Sequence, residues 1–190
     1  MKIIGISGSP RNGNCEFMLK TILEGTNNEL VLLRKENLQL CDGCMTCAGG
    51  KAPCRLNDIS ELHKKVKEAD VIIFASPVWY DMISPHLLNF IVRLNCLQND
   101  LKGKKFFFIL SGQLTENDAK TSQGRAADYL KQIANLYEMN LINFILAEGV
   151  RNPEDAKNNP EIIKKCQQLS NQIALSKTIP KNTSPLNTTQ

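Results

Sequence analysis

No apolar run in the 190-residue sequence reaches membrane-spanning length, and no block of lysine or arginine interrupts its scattered charge. The net charge of +4 gives no support to a nucleic-acid or membrane-surface partner. The first apolar run is too short for a secretory core and follows no charged region, so a cytoplasmic location is expected. Histidine is scarce. His63 and His86 stand in or beside predicted helices without a partner pattern, and neither is assigned a ligand or base role. No Ser–His–Asp set and no paired carboxylates stand out, which counts against hydrolytic chemistry. A G-x-G-x-x-G fingerprint and the lysine of G-x-x-x-x-G-K-S/T are both missing, so a dinucleotide or nucleoside triphosphate held on its own loop matches poorly. Internal repeats are absent. The length suits one domain over residues 1–176, with a polar, proline-bearing tail over 177–190 expected to be disordered.

What is present is a regular alternation. Lys2–Ser7 is a short apolar run that enters Gly8-Ser-Pro-Arg-Asn-Gly-Asn14, after which Met18, Leu19, Ile22 and Leu23 share one helical face. Glu29–Arg34 reads as a second strand, Val71–Ala75 as a third, Lys104–Leu110 as a fourth and Leu141–Ala147 as a fifth. Asp58 with Glu61 forms a capping-box pattern ahead of Ile59, Leu62, Val66 and Ala69. Ser84 and Pro85 suit the N-cap and first turn of another helix, striped by Leu87, Leu88, Ile91 and Leu94. Further helices are expected near residues 122–138 and from Pro160, the latter striped by Ile162, Cys166, Leu169 and Ile173. Five strands alternating with helices give an α/β domain: a parallel sheet covered on both faces.

Three polar loops follow strand ends in this reading: residues 7–14, 76–82 and 111–113. In such folds they converge on one crevice at the switch in strand order. The first supplies the Ser7 and Ser9 hydroxyls, the Arg11 guanidinium, Asn14 as a helix cap, and free amides at a helix N-terminus, which together suit a single phosphate. An ordinary glycine-rich connection is the bland alternative; an arginine inside the turn and two serines beside it weigh against that. The second loop carries Pro77, Val78, Trp79 and Tyr80, against which a flat ring could lie, and Gly112 would let the third loop approach closely. Trp79 and Tyr80 could equally be packing residues. A phosphate at one end and a planar ring at the other describe FMN.

Cysteine is in excess. Of seven, Cys41, Cys44, Cys47 and Cys54 lie in one short segment, while Cys15, Cys96 and Cys166 stand alone. The spacing C-x2-C-x2-C-x6-C suits a 4Fe-4S cluster; zinc, held more often by two separated pairs, and a loop of reduced thiols without metal are the alternatives. Cys96 and Cys166 are read as buried core.

These motifs carry a resemblance. Gly8–Asn14, Cys41-Asp-Gly-Cys44-Met-Thr-Cys47 with Cys54, and Ala69–Tyr80 resemble the NADPH-dependent FMN reductase family, and within it the iron–sulfur flavoproteins. The resemblance covers about residues 1–150. It implies a flavodoxin-like three-layer sandwich with five parallel strands in the order 2-1-3-4-5 and a cysteine-rich insertion at 41–54. It implies noncovalent FMN, its phosphate held by Ser9, Arg11, Asn14 and Cys15, its ring met by Pro77, Val78, Trp79 and Tyr80, with Ser111 and Gly112 under or beside it. It also implies a homodimer or homotetramer, and a 4Fe-4S cluster near the flavin on Cys41, Cys44, Cys47 and Cys54. Cys15 departs from the threonine or serine common there, and Asn89–Leu94 keeps only Arg93 of a frequent Asp-Arg pair. The function implied is an FMN-dependent oxidoreductase passing electrons from NAD(P)H to a small acceptor such as a quinone or flavin, with no acid or base side chain required. The alternatives are an electron carrier served by ferredoxin-like partners, and a zinc- or redox-sensing module with an empty crevice.

Overall fold

The computed structural model of the chain describes residues 1–113 and 116–175. Its elements run β1 (Ile3–Ser7), α1 (Asn14–Leu23), β2 (Asn28–Leu32), α2 (Ser60–Glu68), β3 (Val71–Trp79) and β4 (Met82–Ile83). They continue with α3 (Pro85–Arg93), a one-turn α4 (Gln98–Leu101), β5 (Lys105–Ser111), α5 (Glu116–Leu136), β6 (Asn140–Ala147) and α6 (Pro160–Leu175). The parallel strands lie in the order β2-β1-β3-β5-β6. With the short antiparallel β4 set aside, that is the expected order 2-1-3-4-5. The tail expected from Lys177 lies outside the described residues.

Strand periodicity sorts the core into two layers. Ile4, Ile6, Ile72, Phe74, Phe106, Phe108 and Leu110 face α2, α3 and α5. Ile3, Val71, Ile73, Ala75, Phe107 and Ile109 face α1 and α6. The central strands are therefore apolar on both faces, which is why they read as unbroken apolar runs rather than as alternation. Phe74 meets Phe106 edge-on at 5.1 Å and Phe90 at 6.2 Å, contacts worth about 0.5–1.5 kcal/mol each beyond burial. The stripe Ile162, Cys166, Leu169 and Ile173 is buried as expected.

Three local expectations are corrected. The segment 76–82 is a hairpin, not a loop: β3 runs on to Trp79 and pairs with β4 through Val78–Ile83 and Trp79–Met82. Its two-residue turn puts Tyr80 and Asp81 at φ of 48° and 66°, the geometry of a type I′ turn, and Asp81 is paired with Arg125. Neither residue is the Asn-Gly that normally marks such a turn. The Asp58–Glu61 capping box does not form, because a 3-10 turn over Asn57–Ile59 precedes α2 and the Asp58 carboxylate binds Arg93 instead. Asn14 is the first residue of α1 rather than its cap; Gly13 is the cap residue and supplies no side chain.

Candidate functional site

β1, β3 and β5 are neighbours whose carboxyl ends lie at one edge of the sheet: Ser7 aligns with Ala75, two residues before the Pro77–Ser111 pair. Chain order reverses at β1, so the loops leaving these ends flank the switch point where such folds hold ligands. Ser7, Ser9, Arg11, Asn14, Cys15, Pro77, Val78, Trp79, Tyr80, Ser111 and Gly112 all lie on these strand ends or on the segments leaving them. α3 seats against the first turn. A Cβ on Gly8 would stand 2.5 Å from Leu87 Cβ and 2.7 Å from Ser84 Oγ, so only glycine fits. Ser84 donates its hydroxyl to the Gly8 carbonyl at 2.6 Å, and its oxygen also accepts the Leu87 N–H, capping α3 as expected.

Inside the turn the serines hold its shape. Ser7 Oγ accepts the Ser9 N–H at 3.3 Å, and the Ser9 hydroxyl donates to the Arg11 carbonyl at 2.9 Å. Asn14 is committed elsewhere as well: Nδ2 donates to the Asn152 carbonyl at 2.9 Å, and Oδ1 accepts the Ala156 N–H at 3.0 Å. What faces a ligand is therefore the side-chain-free N-terminus of α1 together with exposed Arg11, whose Nη2 donates to the Arg151 carbonyl at 2.6 Å. The segment after β6, residues 148–156, walls this turn and was missed in the sequence, although Asn152-Pro153 is a turn signal. Asp155 shapes that wall by accepting the Arg151 and Asn152 amides at 2.7 and 2.6 Å, which hold its carboxyl below the usual range.

Cys15 joins the first loop to the third, with Sγ 3.3 Å from Ser111 Oγ. Burial pushes its thiol up to about 11, so it stays neutral at physiological pH and adds no negative charge to the crevice. One residue on, buried Glu16 is matched by Lys20 at 2.7 Å and Arg34 at 2.6 Å. At the other end of the crevice Pro77 and Val78 are half-buried, Trp79 is 43% exposed and Tyr80 stands fully in solvent. Gly112 has its N–H on the Ala147 carbonyl at 3.0 Å and its carbonyl on the Val150 N–H at 2.9 Å. The donor set suits a terminal phosphate through amides and one guanidinium, and the exposed aromatics suit a flat ring. FMN fits that combination.

The cysteine segment is organised by α3. Arg93, with no exposed side-chain surface, donates Nη1 to the Gln39 carbonyl and Asp58 Oδ2, each at 2.9 Å. Its Nη2 reaches Asp58 Oδ1 at 2.6 Å, the Leu56 carbonyl at 2.9 Å and Cys54 Sγ at 3.6 Å. One turn earlier, Asn89 accepts the Cys41 N–H at 3.1 Å and donates to the Gln39 carbonyl at 3.0 Å. Both shoulders of the segment are thus pinned to one helix. Between them the thiols split: Cys47 and Cys54 pack on the core, whereas Cys41 and Cys44 are exposed. Among the described residues no three His, Cys, Asp or Glu side chains stand close enough together to hold a metal ion. The donor chemistry suits iron and sulfide, but the thiols as placed do not form a site for them.

The family described as NADPH-dependent FMN reductase matches residues 1–148. An iron-sulfur flavoprotein of Methanocaldococcus jannaschii is 43% identical over 94 residues, 46% of this chain and 48% of that protein. Another, of Archaeoglobus fulgidus, is 29% identical over 182 residues, 92% of this chain and 79% of that one. The chain thus spans about half the length of the first relative. Among solved structures, an NAD(P)H:quinone oxidoreductase from Methanothermobacter marburgensis superposes with a TM-score of 0.73 at 14% identity, covering 91% of this chain and 98% of its own. A flavodoxin from the domain Archaea gives 0.60 at 15% identity, covering 93% and 98%. At such identities these likenesses show the flavodoxin-like fold alone. Among the described residues no helix is long and apolar enough to cross a membrane. The match over residues 1–148, on a fold whose crevice carries the expected loops, establishes that the chain belongs to the NADPH-dependent FMN reductase family.

Proposed function

We propose that the chain is an FMN-dependent oxidoreductase that passes electrons from NAD(P)H to a small acceptor such as a quinone or flavin. The observation that supports this most is the crevice at the switch point, with an open helix N-terminus and Arg11 at one end and exposed Trp79 and Tyr80 at the other. Bound FMN supplies the redox chemistry, taking up and releasing one or two electrons. The protein's part is placement. The α1 amides and Arg11 balance the phosphate, the neutral Cys15 thiol keeps further negative charge away, and Pro77 through Tyr80 border the ring. No side chain is assigned a proton transfer. The test is FMN titration followed by fluorescence quenching. Arg11→Ala removes a charged donor worth about 1.5–3 kcal/mol, so its Kd for FMN should rise about tenfold or more. Unchanged affinity would sink the phosphate assignment.

A second reading is supported by the relatives named iron-sulfur flavoproteins and by the C-x2-C-x2-C-x6-C spacing. In it Cys41, Cys44, Cys47 and Cys54 hold a 4Fe-4S cluster, and the protein carries electrons between ferredoxin-like partners and an acceptor. Cys41 and Cys44 would then have to fold inward from solvent. Iron and sulfide assayed on protein purified without oxygen decide it: several iron atoms and matching sulfide per chain are expected, and flavin without either excludes the cluster. Assembly as a homodimer or homotetramer belongs to the same proposal, and full exposure of Tyr80 supports a second copy covering the hairpin tip.

A further inference from the structure

The segment that follows β6 touches both ends of the crevice. At one end Val150 donates its N–H to the Gly112 carbonyl at 2.9 Å. At the other, the Arg151 carbonyl accepts Arg11 Nη2 at 2.6 Å, and the Asn152 carbonyl accepts Asn14 Nδ2 at 2.9 Å. Pro153 stands against the start of α1, where a Cβ on Gly13 would come within 3.0 Å of its Cα. Residues 151–154 are themselves exposed, lie outside helices and strands, and belong to neither core layer. Two side chains close the turn instead: Asn14 from α1, and Asp155 from within. Asp155 Oδ2 accepts the Arg151 and Asn152 amides at 2.7 and 2.6 Å, and the Asp155 N–H goes to the Asn152 carbonyl at 3.2 Å.

We propose that Asp155 is a positioning residue for the cofactor's phosphate, acting through the Arg151 carbonyl on Arg11. The inference rests on the FMN reading above. An exposed arginine samples many rotamers, and ordering it at the moment of binding costs affinity. Anchoring Nη2 to a carbonyl removes part of that freedom beforehand, provided the carbonyl is itself fixed. The Arg151 carbonyl and the Asn152 N–H belong to one planar peptide and point in opposite directions. Asp155, by holding that N–H, sets where the carbonyl points and so where Arg11 is held. Among the described residues Nη1 and Nε of Arg11 meet no other acceptor, which leaves them for an anion. The Asp155 carboxylate lies on the far side of the same peptide, engaged with two amides rather than set against the ligand.

The test is an FMN titration, read by fluorescence quenching, on the wild type, Asp155→Ala, Arg11→Ala and the double variant. Asp155→Ala should raise the Kd for FMN about threefold to tenfold, the cost of ordering one long side chain on binding. In the Arg11→Ala background the same substitution should change nothing, because the group it positions is gone. An equal loss in both backgrounds would mean that Asp155 merely shapes the crevice, and would overturn the inference. Asp155→Asn should restore binding to within about twofold of the wild type, since both amides meet one oxygen and an asparagine carbonyl can replace it. An asparagine variant as weak as the alanine one would also overturn it, by assigning the effect to charge. Unchanged affinity in Asp155→Ala beside a weakened Arg11→Ala removes the positioning role alone. Unchanged affinity in Arg11→Ala removes the phosphate assignment, and the inference with it.

Discussion

Arg93 carries a full charge where its side chain meets no water, and Asp58 is what makes that placement tenable. Its Nε is buried without a partner, so the guanidinium depends on the ends of its fork. The Arg93 hydrogen bonds, with the Gln39 amide, lower the Asp58 carboxyl from 3.8 to about 2. A depressed carboxyl contributes stability that is whole above about 3.8 and is lost as pH falls through about 2. The shift corresponds to about 2 kcal/mol. Asp58→Asn should therefore lie at least that far below the wild type in denaturant unfolding at pH 6, and the gap should shrink by about 2 kcal/mol towards pH 2. A gap constant across that window would show that the pair does not carry the acid dependence. The signal for this residue was faint in the sequence: one arginine beside the apolar stripe of a helix. Its partners lie 35 to 54 positions away, and no spacing rule reaches them. His63, whose Nε2 lies 3.0 Å from the Arg93 carbonyl, was opaque for the same reason. The turn after β1 was legible because strand, glycine, arginine and helix are adjacent in sequence. The commitment of Asn14 to residues 152 and 156 was not.

At the scale of elements, buried strands were easy and polar punctuation was hard. Val71–Ala75 declared itself by an unbroken apolar run, and Ser84-Pro85 marked the start of α3 by local chemistry that the structure uses as written. The hairpin was missed because Pro77 reads as a strand breaker, yet it sits at the last rung of the β3–β5 ladder, where a missing N–H costs least. That hairpin now carries a prediction. Its tip shows Trp79, Tyr80 and Met82 to solvent, more apolar surface than a free turn normally presents. Light scattering should find a dimer or larger species, and Trp79→Ser with Tyr80→Ser should shift it towards monomer. A monomeric wild type would end the assembly proposal, and an unchanged oligomer in the variant would move the interface elsewhere.

For the whole molecule, alternation of strand and helix was enough to give the layers and the end of the sheet where loops gather, while the strand order came from the family resemblance. The arrangement of the cysteine segment lay beyond it, since irregular backbone has no period to read and its shape is imposed by contacts with α3. That helix joins the two halves of the chemistry. Ser84 at its start grips Gly8 in the turn after β1, while Asn89 and Arg93 near its end grip the segment that bears the thiols. A helix advances about 1.5 Å and turns about 100° per residue, so what it fixes is an angle as much as a length. One residue added between Pro85 and Asn89 would leave Ser84 in place and swing both clamps about a quarter-turn off their targets. α3 is therefore a phase setting, and the spacing between crevice and thiols can change by whole turns but not by single residues.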